Sequence, residues 1–218
     1  MLLYRHLDKT TEGQIGMFEG FSAAAYDLLL RMTDCLIVGS WRKQLFQLVS
    51  GRELLELGVG SGLNIQHYPA DAAHIVAVDK NPHLICKAQT RAAKFEDHVE
   101  LHCFDIYHLH KKLPNKTFDC IIGSFIFCSL EEPRQALQIA FQLLKPGGRL
   151  VLLEHVASDS PAGRLVSFLS GGLYRLFGQE IPHRLDCSLH SVGFHSVRKR
   201  SVFFDAVFLI EARRPPWR

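Results

Sequence analysis

The run Leu54-Leu55-Glu56-Leu57-Gly58-Val59-Gly60-Ser61-Gly62-Leu63-Asn64 constrains this chain more than any other segment. Strand-forming residues lead into three glycines at alternate positions. Glycine lacks a Cβ and adopts positive φ, so the chain can turn sharply and leave its backbone open to close approach. A strand ending this way and passing into a helix forms a ligand-binding corner in an open α/β sheet, where ligands sit outside the carboxyl ends of the strands. The spacing is G-x-G-x-G. A dinucleotide loop uses G-x-G-x-x-G to hold a pyrophosphate at a helix N-terminus, and Leu63 stands where its third glycine would fall. Glu56, two residues before the first glycine, suits a cationic ligand better than a pyrophosphate.

Around that corner, strand and helix patterns alternate. Strands are expected at Glu53–Leu57, His74–Val78, Val99–Phe104, Phe118–Gly123 and Leu150–His155, and helices at Leu63–Tyr68, Pro82–Phe95, Arg134–Leu144, Pro161–Phe177 and Leu185–Val192. Ser196–Arg200 and Phe203–Ala212 read as two final strands close enough to pair as an antiparallel hairpin. Before residue 52 the pattern is helical, with Phe18, Phe21, Ala25, Leu28 and Leu29 on one stripe and Leu36, Trp41, Leu45, Phe46 and Val49 on a second, and Gly39-Ser40 breaking between them. The expectation is one domain over 1–218, with a helical cap at 1–51 and a doubly wound, mostly parallel α/β core at 52–218.

Two acids extend the first signal. His74-Ile75-Val76-Ala77-Val78 is an apolar strand ending in Asp79, placed to accept both hydrogens of a ribose diol. A helix-capping or turn aspartate is the other reading, since Asn81 and Pro82 follow. Asp105, after the third strand, suits an adenine amino group, with Ile106 packing on the ring, or else caps a loop. Lys145-Pro146-Gly147-Gly148 is a turn device between a helix and the next strand.

The 218 residues carry a formal net charge of +3, too small to argue for nucleic acid. Six cysteines without a C-x-x-C pair argue for a reducing, cytoplasmic setting with no disulfide framework, several of them serving as buried hydrophobes. The scattered histidines predict no metal site. No apolar stretch reaches the ~20 residues that span a bilayer. The run 164–177, apolar and aromatic between arginines, reads as an interfacial helix or a lid over an apolar acceptor, or against both as a plain core helix.

Taken in order, the glycine loop, Asp79, Asp105, Phe118-Asp119 and the Lys-Pro-Gly-Gly turn resemble the class I S-adenosylmethionine (SAM)-dependent methyltransferases from about Gly20 to the C-terminus. The resemblance implies a seven-stranded sheet with helices on both faces and one antiparallel strand. It implies that Gly58, Gly60 and Gly62 contact the methionine part and ribose of SAM, with Glu56 near the methionine amino group or ordering the loop and Asn64 completing the motif. Asp79 would hold the ribose hydroxyls. Lys80, Asn81, Asp105 and Ile106 would border the adenine, and Ser124 and Phe125 would face the methyl donor.

Three subgroups are similar in different places. Glu56 to Pro69 resembles bacterial phosphatidylethanolamine N-methyltransferases. Ala24-Ala25-Tyr26-Asp27 resembles that group and the ubiquinone/menaquinone C-methyltransferases. Phe127-Cys128-Ser129-Leu130 and Leu153-Glu154-His155-Val156 resemble the alkyl-thiol methyltransferases. The acceptor is thus expected to be a small or lipid-like molecule. His155 and Glu154, at the end of the fifth strand, lie where a general base would have the right location, and His155 otherwise fits a hydrogen-bonded histidine shaping the pocket. Tyr26 fits a ring over the sulfonium or a cap core residue. A nicotinamide-dependent oxidoreductase and a non-catalytic SAM-binding module are the competing readings. The oligomeric state has no sequence signal.

Overall fold

Period-two alternation sets the two faces of the sheet. A computed structural model describes residues 38–95, 98–156, 160 and 185–217. The cap stripe at Phe18–Leu29, Tyr26, Leu36 and the run 164–177 lie outside them. The main described elements are α1 (Gly39–Phe46), β1 (Glu53–Leu57), β2 (His74–Asp79), α2 (Pro82–Ala92), β3 (Val99–Cys103), β4 (Phe118–Ser124), α3 (Pro133–Leu143), β5 (Leu144–His155), α4 (Leu185–Val192), β6 (His195–Phe203) and β7 (Val207–Arg213). They form one seven-stranded sheet in the order β3-β2-β1-β4-β5-β7-β6. β1 to β5 are parallel, and β7 runs antiparallel between β5 and β6.

Alternate residues of each strand feed separate cores. Leu55, Leu57, Val76, Val78, Ile121, Leu150 and Leu152 pack with Leu137 and Ala140 of α3 and Leu185 and Leu189 of α4. Leu54, Ile75, Ala77, Cys120, Ile122, Val151 and Leu153 pack with Leu45 and Phe46 of α1 and Ile85 and Ala88 of α2. The sheet is therefore covered on both faces, which is why its central strands are near-continuous apolar runs. The strand order reverses at β1 and β4, so the crevice outside their carboxyl ends is the topological place for a ligand.

Beyond shifts of a residue at strand and helix ends, four features differ from the sequence expectation. Leu63–Tyr68 makes only a single 3₁₀ turn, Ile65–His67, with Tyr68 N–H donating to Ile65 O at 3.2 Å. The Asn64 and Tyr68 side chains are drawn inward to Glu56, and Pro69 prevents extension. α2 stops at Ala92, where a tight turn returns Phe95 N–H to Ala92 O at 2.8 Å. The Lys-Pro-Gly-Gly turn lies inside β5 as a bulge, because pairing shifts from Phe118–Leu144 to Cys120–Arg149. Phe203 belongs to β6 and the reversal falls on Phe204 to Ala206, before β7.

That bulge closes a latch at the amino edge of the sheet. Asp119 Oδ2 accepts from Arg52 and Glu53 N–H, both at 2.9 Å, and Oδ1 accepts from Lys145 Nζ at 2.7 Å. Burial alone would raise the Asp119 carboxyl, but Lys145 and the two N–H groups hold it below the ordinary carboxylate value. Phe118-Asp119 and the Lys-Pro-Gly-Gly turn are thus one structural device, at the edge away from the glycine loop. Of the five cysteines among the described residues, Cys120 and Cys128 are buried, whereas Cys86, Cys103 and Cys187 are exposed. No helix among the described residues is long and apolar enough to cross a membrane.

Candidate functional site

The glycine loop leaves β1 with Gly58, Gly60 and Gly62 at φ of 67°, 55° and 86°. Two of them are needed for different reasons. A Cβ on Gly62 would lie 2.8 Å from Ile65 Cδ1 and 3.0 Å from Ala88 Cα, so glycine there lets α2 approach the loop. A Cβ on Gly60 would meet nothing within 4 Å. The backbone at Gly60 is therefore bare toward open space, as a surface for a closely held ligand requires.

Beneath the loop lies a buried polar network. Glu56 continues the α1-facing row of β1 and is fully buried. Its Oε1 accepts from Asn64 Nδ2 and its Oε2 from the Tyr68 hydroxyl. Asn64 Nδ2 also reaches Ser124 Oγ at 2.8 Å. Arg42 of α1 joins from above: its Nη1 donates to Asn64 Oδ1 at 2.6 Å and Ser124 Oγ at 3.0 Å. Burial pushes the Glu56 carboxyl above its ordinary value, while Tyr68, Asn64 and the Arg42 charge pull it back. Burial and the neighbouring Glu56 push the Tyr68 phenol well above its own. Tyr68 is thus a donor that stays protonated.

Asp79 ends β2, half-buried, and braces the loop. Its Oδ2 accepts from Gly60 N–H at 2.9 Å and its Oδ1 from Asn81 N–H at 2.9 Å. A carboxylate offers about four acceptor sites, so two hydrogen bonds leave capacity for hydroxyl donors. The capping role open to Asp79 falls instead to Asn81, whose Oδ1 accepts from His83 N–H at 2.9 Å and Leu84 N–H at 3.4 Å at the start of α2. Lys80 is exposed beside it. Asp105 accepts from Tyr107 N–H at 2.9 Å and caps a short 3₁₀ turn, and Ile106 is buried.

At the carboxyl end of β4, Ser124 passes into Phe125, which takes φ of 54°. The Phe125 ring lies 4.6 Å from the His155 ring and 5.9 Å from Arg42 Cζ. Ile126 then folds over the loop, so that a Cβ on Gly58 would lie 2.6 Å from its Cδ1. Burial lowers the His155 imidazole to about 4, leaving it uncharged near neutral pH. Glu154 is fully buried behind the same turn, and its Oε1 accepts from Ile126 N–H at 2.8 Å and Phe127 N–H at 2.9 Å. Burial raises it to about 7 despite those donors.

The structure thus brings Glu56, Asn64 and Ser124 into one network, joins Gly60 to Asp79, and sets Phe125 against His155. Asp105 and Ile106 sit at the end of neighbouring β3. Sequence reasoning missed Arg42 and Tyr68; it placed Glu154 beside His155 as a location for a general base, and the structure shows Glu154 accepting from two backbone N–H groups. The signal for Arg42 was present: it occupies the first place of an i, i+3, i+4, i+7 stripe completed by Leu45, Phe46 and Val49.

Residues 55–152 match the family described as "Methyltransferase domain". The thiol S-methyltransferase TMT1B of Rattus norvegicus is 35% identical over 115 residues, covering 52% of this chain and 46% of that protein. The demethylmenaquinone methyltransferase of Clavibacter sepedonicus is 28% identical over 232 residues, covering 94% of this chain and 92% of that protein. In fold, the domain superposes on N-methyltransferase NodS from Bradyrhizobium japonicum with a TM-score of 0.61 at 20% identity, covering 81% of this chain and 86% of that one. The chain spans about half the length of the thiol S-methyltransferases it matches.

Proposed function

We propose that this protein transfers the methyl group of SAM to a small or lipid-like, largely apolar acceptor. The observation that carries the reading is the bare backbone at Gly60, held by Asp79 on one side and bordered by the Arg42–Asn64–Ser124 network on the other. Those groups fit SAM. Asp79 has acceptor capacity for a ribose diol, Arg42 supplies a cation for the methionine carboxylate, and Glu56 beneath the loop supplies negative charge for the amino group. Asp105 and Ile106 border the adenine, with Lys80 and Asn81 on its outer side. The solved structure of NodS contains S-adenosyl-L-homocysteine, the product such a reaction leaves.

Bound SAM supplies a methyl group on a sulfonium; with a thiol acceptor R–SH the products are R–S–CH₃, S-adenosylhomocysteine and one proton. What this chain adds is orientation and exclusion of water. Phe125 and the uncharged His155 present an apolar wall that still carries a hydrogen-bond acceptor. His155 sits too far below neutral to serve as a strong base, and we assign it the orientation of the acceptor S–H. Tyr26 is the proposed ring over the sulfonium. An alkyl thiol is the favoured acceptor because the thiol S-methyltransferase has the higher identity of the two relatives. A quinone-type ring is the second reading, because the demethylmenaquinone methyltransferase aligns along 94% of the chain. We place the enzyme in the cytoplasm, with 164–177 as its approach to a lipid-like acceptor.

Titration calorimetry with SAM and with NADH tests the cofactor. SAM should bind, NADH should not, and Asp79→Ala should weaken SAM by ~10–100-fold, as loss of charge-assisted hydrogen bonds implies. Binding of NADH without SAM would overturn the reading.

A further inference from the structure

We propose that Glu154 is a positioning residue of the transfer site, clamping the turn after β4 so that Ile126 seats on the glycine loop and Phe125 on His155. The role of that turn in methyl transfer rests on the function proposed above; the clamp itself rests on geometry alone. Where β4 ends, the N–H groups of Ile126 and Phe127 point away from the ladder and need acceptors. One carboxylate oxygen, Glu154 Oε1, takes both, at 2.8 and 2.9 Å.

The turn so held carries both walls of the site. Ile126 Cδ1 fills the space above Gly58 and its Cγ2 the space above Gly123, where added Cβ atoms would lie 2.6 and 3.0 Å away. Phe125, at φ of 54°, turns its ring onto His155. β7 fixes the base of the clamp, since Glu154 pairs with Phe208 and His155 with Val207. A buried carboxylate is costly unless it is well hydrogen-bonded, and a structural core position in β5 would be filled more cheaply by an apolar residue like Leu152 or Leu153.

Among the described residues, few titratable groups surround Glu154. From the turn, Cys128 acts on it, and burial pushes that thiol far above neutral. From its own strand His155 follows, lowered to about 4. Between pH 6 and 8, Glu154 is the group of this set that changes charge. An ionised carboxylate accepts more strongly than a neutral acid, so the clamp tightens as pH rises.

The test compares Glu154→Ala and Glu154→Gln in the full chain, by amide hydrogen exchange and by steady-state methyl transfer from SAM to an alkyl thiol. In Glu154→Ala, exchange at Ile126 and Phe127 should accelerate by at least ~10-fold while Leu55 in the sheet core stays protected, and kcat should fall ~10–100-fold with a smaller change in KM. Glu154→Gln keeps an acceptor oxygen and should restore protection and most of kcat. The wild-type to Gln activity ratio should rise with pH through about 7, a comparison in which ionisation of the thiol substrate cancels. Unchanged protection at 126 and 127 in Glu154→Ala, or a flat activity ratio, overturns the proposal. If Glu154→Ala does not fold, Glu154→Gln decides it through that ratio. If the wild type turns over no acceptor, the functional reading fails, and the exchange data still decide the clamp.

Discussion

Substituting Gly60 and Gly62 separately by alanine divides ligand binding from folding. Both residues sit in the left-handed region, at φ of 55° and 86°, so each alanine pays a conformational cost of about 1 kcal/mol. At Gly60 that is the whole cost to stability, because nothing lies within 4 Å of the new Cβ. At Gly62 the Cβ meets Ile65 Cδ1 at 2.8 Å and the Ala88 backbone at 3.0 Å. Overpacking of this kind adds about 1–3 kcal/mol, for a total of about 2–4 kcal/mol. In a domain of this size 1 kcal/mol lowers Tm by about 2–4 °C. Gly60→Ala should therefore melt only a few degrees early, and Gly62→Ala about 4–16 °C early. Affinity should follow the opposite order. The Gly60 methyl projects into the open space assigned to SAM and should weaken it by at least ~10-fold, as loss of about 1.4 kcal/mol would. Thermal melts paired with SAM titration measure both quantities. Equal destabilisation of the two variants, with SAM affinity intact in Gly60→Ala, would refute the reasoning.

Three further outcomes follow from other parts of the structure. Asp119→Ala should lower stability by about 2 kcal/mol through loss of its three hydrogen bonds and leave SAM affinity unchanged, because the latch lies at the amino edge of the sheet; a changed affinity would contradict that separation. Glu154 has a folded value of about 7 against an ordinary 4.5, so its contribution to stability is present below pH ~4.5 and is lost as pH rises through ~7, a change of about 3 kcal/mol. Denaturant unfolding of wild type and Glu154→Gln at pH 5 and pH 8 should show the gap shifting toward the variant at the higher pH, and a constant gap would count against it. Arg42→Met keeps the apolar stem but removes the charge and the two hydrogen bonds to Asn64 and Ser124; calorimetry should find SAM bound ~10-fold or more weakly, with stability lower by about 1–3 kcal/mol for the buried acceptor left unpaired.

Much of this fold was legible because the strands alternate so regularly. β1 and α4 follow the expected bounds, and the cores on the two faces are the odd and even residues of the same apolar runs. Local signals misled where side chains had other commitments. Asn64 and Tyr68 sit in a helical pattern, but a buried carboxylate recruits both, and only one 3₁₀ turn survives. The Lys-Pro-Gly-Gly run reads as a terminator, yet pairing with β4 absorbs it as a bulge. At the site, Glu56, Asp79 and the glycines announced themselves by motif. Glu154 was legible only as a neighbour of His155 at a general-base position, and its hydrogen bonds to residues 28 and 27 positions earlier have no local signature. Arg42 was hidden differently, since a helical arginine is usually solvated and only its place on an apolar stripe distinguishes it.

In the function we propose, this sheet edge holds SAM and delivers its methyl group to an apolar small molecule. Transfer of labelled methyl from SAM, with a soluble alkyl thiol, a demethylated quinone and phosphatidylethanolamine vesicles offered in parallel, tests it most directly. Label is expected in the thiol, lost in Asp79→Ala and reduced in Glu154→Ala. Label in none of the three, from a protein that binds SAM, would contradict it.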